Sequence, residues 1–126
     1  MELGAWRSVV GMVSDRLGEY PLPTPLGCRV RYAYGRSQFK RNHVTEAARI
    51  LTAVGEKCES VTKQLGPKAL YIAGKSLERK KAWAEAAQVY AQIPQRYPEH
   101  TMADDGYALG GIAWVEAGHP AKAKQL

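Results

Sequence analysis

The sequence predicts an all-α fold, a right-handed superhelical solenoid of helical hairpin repeats with about seven helices in all. Three observations predict it. Glycines at positions 35, 74 and 111 are each followed twelve residues later by alanine, at 47, 86 and 123, with copies offset by 39 (35 to 74) and 37 (74 to 111). Apolar residues recur at helical spacing, and alanine is abundant while β-branched runs are scarce. Apolar residues make up 45% of 126 positions and charged ones 24%, enough for a core and too balanced for a wholly disordered chain.

The elements follow in order. Residues 1–20 read as an amphipathic helix marked by Trp6, Val9, Val10, Val13 and Leu17. Residues 21–27, with Pro21, Pro23 and Pro25, read as a stiff extended connector. The repeats then occupy 28–126, in copies of about 28–64, 65–100 and a shortened 101–126. In the first copy, helices are expected from Cys28 to Lys40 and from Thr45 to Cys58. In the second, Leu70, Ala73, Gly74 and Leu77 form one apolar stripe over residues 67–80. Trp83, Ala86, Ala87, Tyr90 and Ile93 form the matching stripe on the next helix.

Glycine inside a helix costs about 1 kcal/mol against alanine, so Gly35, Gly74 and Gly111 are expected where the partner helix crosses closely. Pro94 should end or kink its helix near Ile93, and Tyr97-Pro98 closes the unit. Thr101 is the expected N-cap of the next helix, with Asp104 in a capping-box-like position and Asp105 beside it favoured by the helix dipole. Ala121 to Leu126 read as the start of another helix, which favours a longer parent protein.

Eighteen Lys+Arg against twelve Asp+Glu give a net charge of +6, unevenly spread. Residues 28–66 carry eight basic and three acidic groups. Arg29, Arg36 and Lys40 share one helical face at i, i+7, i+11, and Arg31 and Arg41 add charge nearby. This is the candidate face for an anionic partner; a solvated helix face is the simpler alternative. Exposed Tyr32 and Phe39 beside the stripe would favour saccharide or nucleic acid, and core-facing rings would remove that support. No run of about 18 apolar residues is present to span a membrane. The N-terminus lacks a basic n-region and an apolar h-region, so the protein is cytoplasmic or its targeting segment lies outside this sequence.

Cys28 begins one helix of the first hairpin and Cys58 ends the other, which brings both to the same end. A disulfide there would imply an oxidising compartment, and two separate buried thiols are the favoured alternative. His43, His100 and His119 lack ligand spacing, so no metal is expected. Capping explains Asp104 and Asp105 better than acid–base catalysis does. Gly106, Gly110 and Gly111 lack the Lys-Ser/Thr partner of a phosphate loop. No cofactor and no catalytic residue is expected on this chain.

Gly74, Ala86, Tyr90 and Pro98, with Leu70 and Leu77, stand at the spacing of the tetratricopeptide repeat (TPR), and the middle unit resembles that family. Two further segments, Lys68 to Leu77 and Tyr97 to Asp105, resemble the helical superhelix of soluble lytic murein transglycosylases, and Arg31 to Arg36 is similar to an earlier helix of it. Envelope TPR proteins use similar turns. The resemblance implies a non-catalytic scaffold segment in the periplasm or cell envelope, contacting a peptidoglycan strand or a protein. The enzyme's own chemistry needs a catalytic glutamate followed by serine and a Gly-rich stretch downstream. Glu59-Ser60 has the pair without that stretch. A TPR adaptor binding a protein or peptide in its concave groove is the alternative. Exposed solenoid ends would favour a homodimer, and nucleic acid, resting on charge alone, is the least favoured partner.

Overall fold

The computed structural model describes residues 14–126. Its helices are α1 (Pro25–Lys40), α2 (Val44–Lys57), α3 (Leu65–Arg79), α4 (Trp83–Arg96), α5 (Ala103–Glu116) and the short α6 (Pro120–Ala123). No strand occurs among the described residues. Each helix packs on the next, and the first helices of successive hairpins, α1 with α3 and α3 with α5, also touch. The second helices α2 and α4 stay further apart, with an open hollow between them. The stack therefore bends towards its first helices, and their face is the concave one.

The amphipathic helix expected over residues 1–20 falls largely outside the described residues; its described end, Ser14–Glu19, is a 3₁₀ turn broken at Arg16. The extended connector expected at 21–27 is not there: residues 21–24 form a turn, in which the Thr24 N–H donates to the Pro21 carbonyl at 3.2 Å. Helix α1 begins at Pro25, ahead of the expected Cys28, because Thr24 caps it. The Thr24 hydroxyl accepts from the Gly27 N–H at 3.0 Å, and Pro25 takes an opening position where its missing N–H costs nothing.

Beside a small cluster of Tyr34 of α1 and Ile50 of α2 against Leu17, most of the core is one cluster along the stack. Leu51 and Val54 of α2, Leu70, Ala73 and Leu77 of α3, and Ala86, Ala87, Tyr90 and Ile93 of α4 are all buried in it, with Trp114 of α5. The stripes expected on α3 and α4 are thus the buried ones, with Trp83 half-buried at the margin. Gly35 and Gly74 lie where expected: a methyl group on Gly35 would overlap the Leu51 side chain, and one on Gly74 the Tyr90 ring. The third copy differs. Gly111 meets only Ala123 of its own hairpin, at 3.9 Å, and the tight glycine of α5 is Gly106, which faces α4 of the preceding hairpin, against Pro94 and the Tyr90 carbonyl.

Gly106 explains a second departure. Helix α4 runs on through Pro94 to Arg96 instead of ending near Ile93. Proline crowds the carbonyl one turn back, here that of Tyr90. This carbonyl faces Gly106, where the absence of a side chain leaves room. Helix α5 also starts later than expected. Thr101 does not cap it; the chain makes an extra turn, with the Ala103 N–H donating to the His100 carbonyl, and the Met102 N–H donates to His100 Nδ1 at 3.1 Å. Asp104 and Asp105 remain in its first turn and exposed.

The three hairpin turns are built alike. Asn42 (φ 62°), Lys81 (φ 61°) and Gly118 (φ 84°) occupy equivalent left-handed positions. After each, an N–H reaches back to a carbonyl in the last helical turn: His43 to Gln38 at 2.8 Å, Ala82 to Leu77 at 2.9 Å, His119 to Trp114 at 2.8 Å. This is a Schellman closure, which satisfies carbonyls that the helix end leaves orphaned. The histidines at 43 and 119 are turn residues of this closure.

Candidate functional site

Between α1 and α3, on the concave face, lies a hollow of about 410 Å³. Helix α1 contributes Tyr32, Arg36, Phe39 and Lys40; α3 contributes Lys68, Tyr71 and Ile72; Met102 closes it ahead of α5. The helical period explains the set: Tyr32, Arg36, Phe39 and Lys40 stand at i, i+4, i+7 and i+8, one face of α1. Lys68, Tyr71 and Ile72 do the same on α3. The lining holds three cationic side chains and no carboxylate.

The rings are half-buried and each has a cation beside it. The Arg36 guanidinium lies 5.8 Å from the Tyr32 centroid and Lys75 Nζ lies 5.5 Å from that of Tyr71. Arg79 reaches from α3 to α1, its guanidinium 3.9 Å from the Phe39 centroid, and donates to the Phe39 carbonyl at 3.4 Å. Burial raises the Tyr32 pKa above its ordinary value, and Arg36 opposes that rise. Lys75 also pairs with Glu78 at 3.5 Å.

The five basic residues predicted as one face divide. Arg36 and Lys40 line the hollow, and Arg29 is exposed further along the helix without lining it. Arg31 instead holds the fold together, donating to the Tyr20 carbonyl at 2.7 Å and the Leu17 carbonyl at 2.9 Å and so tying the preceding segment to α1. Arg41 is the C-cap of α1. A single linear stripe cannot reveal this, because Arg31 points across to a segment eleven residues upstream. Lys68, Tyr71 and Met102 were not singled out from the sequence. The 39-residue offset carried the signal for two of them, since it places Arg29 on Lys68 and Tyr32 on Tyr71.

Elsewhere the side chains serve the fold. Cys28 and Cys58 are joined in a disulfide, Cα–Cα 6.1 Å, both fully buried, where separate thiols were favoured. The antiparallel hairpin brings the start of α1 beside the end of α2. Glu59 accepts from Arg96 at 2.9 Å, and the Tyr97 hydroxyl donates to the Gly55 carbonyl at 2.6 Å, so the end of α4 is strapped to the end of α2. Ser60 is exposed beside it. The hollow between α2 and α4, about 660 Å³, mixes Arg49, Lys57 and Lys80 with Glu56 and Glu85. Among the described residues no cluster of His, Cys, Asp or Glu is placed to hold a metal, and no helix is long and apolar enough to cross a membrane.

The fold and the concave hollow define a helical-repeat protein of the kind that presents a surface to a partner. The sequence profile of the tetratricopeptide repeat matches residues 68–100, which are α3, α4 and the turn that closes them. The chain is a TPR-like helical-repeat solenoid. No curated protein and no solved structure matches it.

Proposed function

We propose that this chain is a non-catalytic interaction scaffold that holds a segment of a protein partner against the face made by α1 and α3. The concave hollow between those helices carries the reading. It is apolar at its floor, cationic at its rim, and set on rigid helices of a repeat class that typically binds proteins. Selection from a displayed random-peptide library tests it. Binders should be lost with Ile72→Glu and retained with Thr52→Glu on the opposite face. Binders indifferent to Ile72→Glu would place the binding surface elsewhere.

A second reading concerns the parent. The buried Cys28–Cys58 disulfide favours an oxidising compartment such as the periplasm or cell envelope. With the resemblance to the transglycosylase superhelix, it supports a scaffold segment of a peptidoglycan-cleaving enzyme. Reading the parent gene for a secretion signal and a downstream lysozyme-like domain decides this. Two titratable thiols in protein from its native source would count against the compartment. Exposed Tyr107, Ile112 and Val115 on α5 favour self-association. A strictly monomeric mass by light scattering at high concentration would remove that reading.

A further inference from the structure

The period that repeats the fold also repeats the chemistry of the concave face. An offset of 39 residues carries Arg29 onto Lys68, Tyr32 onto Tyr71, Arg36 onto Lys75 and Lys40 onto Arg79. In both hairpins the cation four residues after the tyrosine sits beside that ring. The next offset, 37, lands on Asp105, Ala108, Ile112 and Glu116. The cationic ladder therefore has two rungs and then reverses sign.

Rings that hold cations in place reduce the side-chain entropy lost when an anion arrives. The same arrangement spoils the rings as stacking platforms. Arg79 covers Phe39, and each ring also packs against the core. Single-stranded nucleic acid calls for open ring faces and a long run of phosphate contacts, and this face offers neither. What remains is an apolar floor of Ile72 and Met102 between Lys40 on one helix and Lys68 on the other.

We infer that the hollow takes an extended acidic peptide, with one apolar side chain on Ile72 and Met102 and carboxylates on either side against Lys40 and Lys68. The inference rests on the reading that this is the partner face, and it adds the partner's chemistry. Each neighbouring charge then contributes through a water-accessible rim, so binding should weaken with salt.

Fluorescence anisotropy tests it with three labelled probes: a short peptide with a central leucine flanked by glutamates, the same peptide with glutamines, and a single-stranded oligonucleotide. The glutamate peptide should bind about tenfold or more tighter than the glutamine one, with the gap closing at high salt. Lys40→Glu combined with Lys68→Glu should erase the preference, whereas Lys57→Glu, on the opposite face, should preserve it. Thermal melts keep loss of folding distinct from loss of binding. Equal binding of the two peptides, abolished by Ile72→Glu, overturns the acidic specificity and leaves the partner face standing. Binding of either peptide untouched by Ile72→Glu overturns both. An oligonucleotide that displaces the glutamate peptide and binds more tightly overturns the choice of a peptide.

Discussion

The first two hairpins and the third share a backbone plan and differ in what covers it. All three close with a left-handed residue and the same back-reaching hydrogen bond. Buried serines also recur, Ser37 and Ser76 each donating to the carbonyl four residues earlier at 2.8 Å, and Ala113 takes the equivalent place in the third hairpin. The glycine crossing within the hairpin is tight in two copies and open at Gly111 in the third. The tyrosine–cation pairs occur in two copies, and the third presents Tyr107, Ile112 and Val115 to solvent. Turn geometry is fixed by local backbone sterics and so survives every copy. The exposed chemistry is free to change, and its change marks where one surface ends and another begins.

The disulfide is the largest lever on this comparison, because only the first hairpin is stapled. Closing a 30-residue separation restrains the unfolded chain by about 3.5 kcal/mol. Cys28→Ser with Cys58→Ser should lose about that much in denaturant titration, and a loss under about 1 kcal/mol would show that the staple contributes little.

The glycine crossings come next. Gly74→Ala should cost about 2–3 kcal/mol, since the fully buried Tyr90 ring has nowhere to move. Gly111→Ala, in open contact only, should be neutral or stabilise by up to about 1 kcal/mol through helix propensity. Equal effects at the two sites would mean that the third hairpin crosses as tightly as the second.

A smaller contrast lies between two buried phenols. Tyr97→Phe leaves the Gly55 carbonyl without its donor and should cost about 1–2 kcal/mol. Tyr90→Phe should cost less, because its buried hydroxyl makes no hydrogen bond of good geometry and has only the Glu78 carboxylate nearby. Both phenols titrate high. Burial, with the Glu59 carboxylate, pushes Tyr97 up to about 12, and burial with Glu78 raises Tyr90 further. The unfolded chain therefore ionises first, near pH 10. Stability is full below that pH and falls as pH rises through about 12. An alkaline melting series should show the fall, and Tyr97→Phe should make it shallower; an unchanged slope would remove Tyr97 as a contributor.

The smallest expected effect is at the turns. Lys81→Gly relieves a left-handed side chain and should gain about 0.5–1 kcal/mol, bringing the second turn to the composition that the third already has in Gly118. Destabilisation in a thermal melt would show that the Lys81 side chain contributes contacts that offset its strain.

Much of the fold was legible. The apolar stripes of α3 and α4, the crossings at Gly35 and Gly74 and the approach of Cys28 to Cys58 all follow from helical periodicity and antiparallel hairpins. The helix starts at α1 and α5 and the course of α4 past Pro94 did not. Each was decided by a neighbour: Thr24 folding back on Gly27, His100 reaching Met102, Gly106 leaving space for the Tyr90 carbonyl. Of the candidate site, Arg36 and Lys40 were legible on their stripe. Arg31 was misread because its carbonyl partners lie in a segment whose position only packing sets.

By itself the sequence determined the repeat, its period and which side of each helix is apolar, because these depend on 3.6-residue geometry within one helix. The tertiary structure decided which charges converge. Lys40 and Lys68 are 28 positions apart in the chain and line the same hollow only because α1 and α3 stack side by side. Periodicity says which way a side chain faces on its own helix; only the stacking of helices says what it faces.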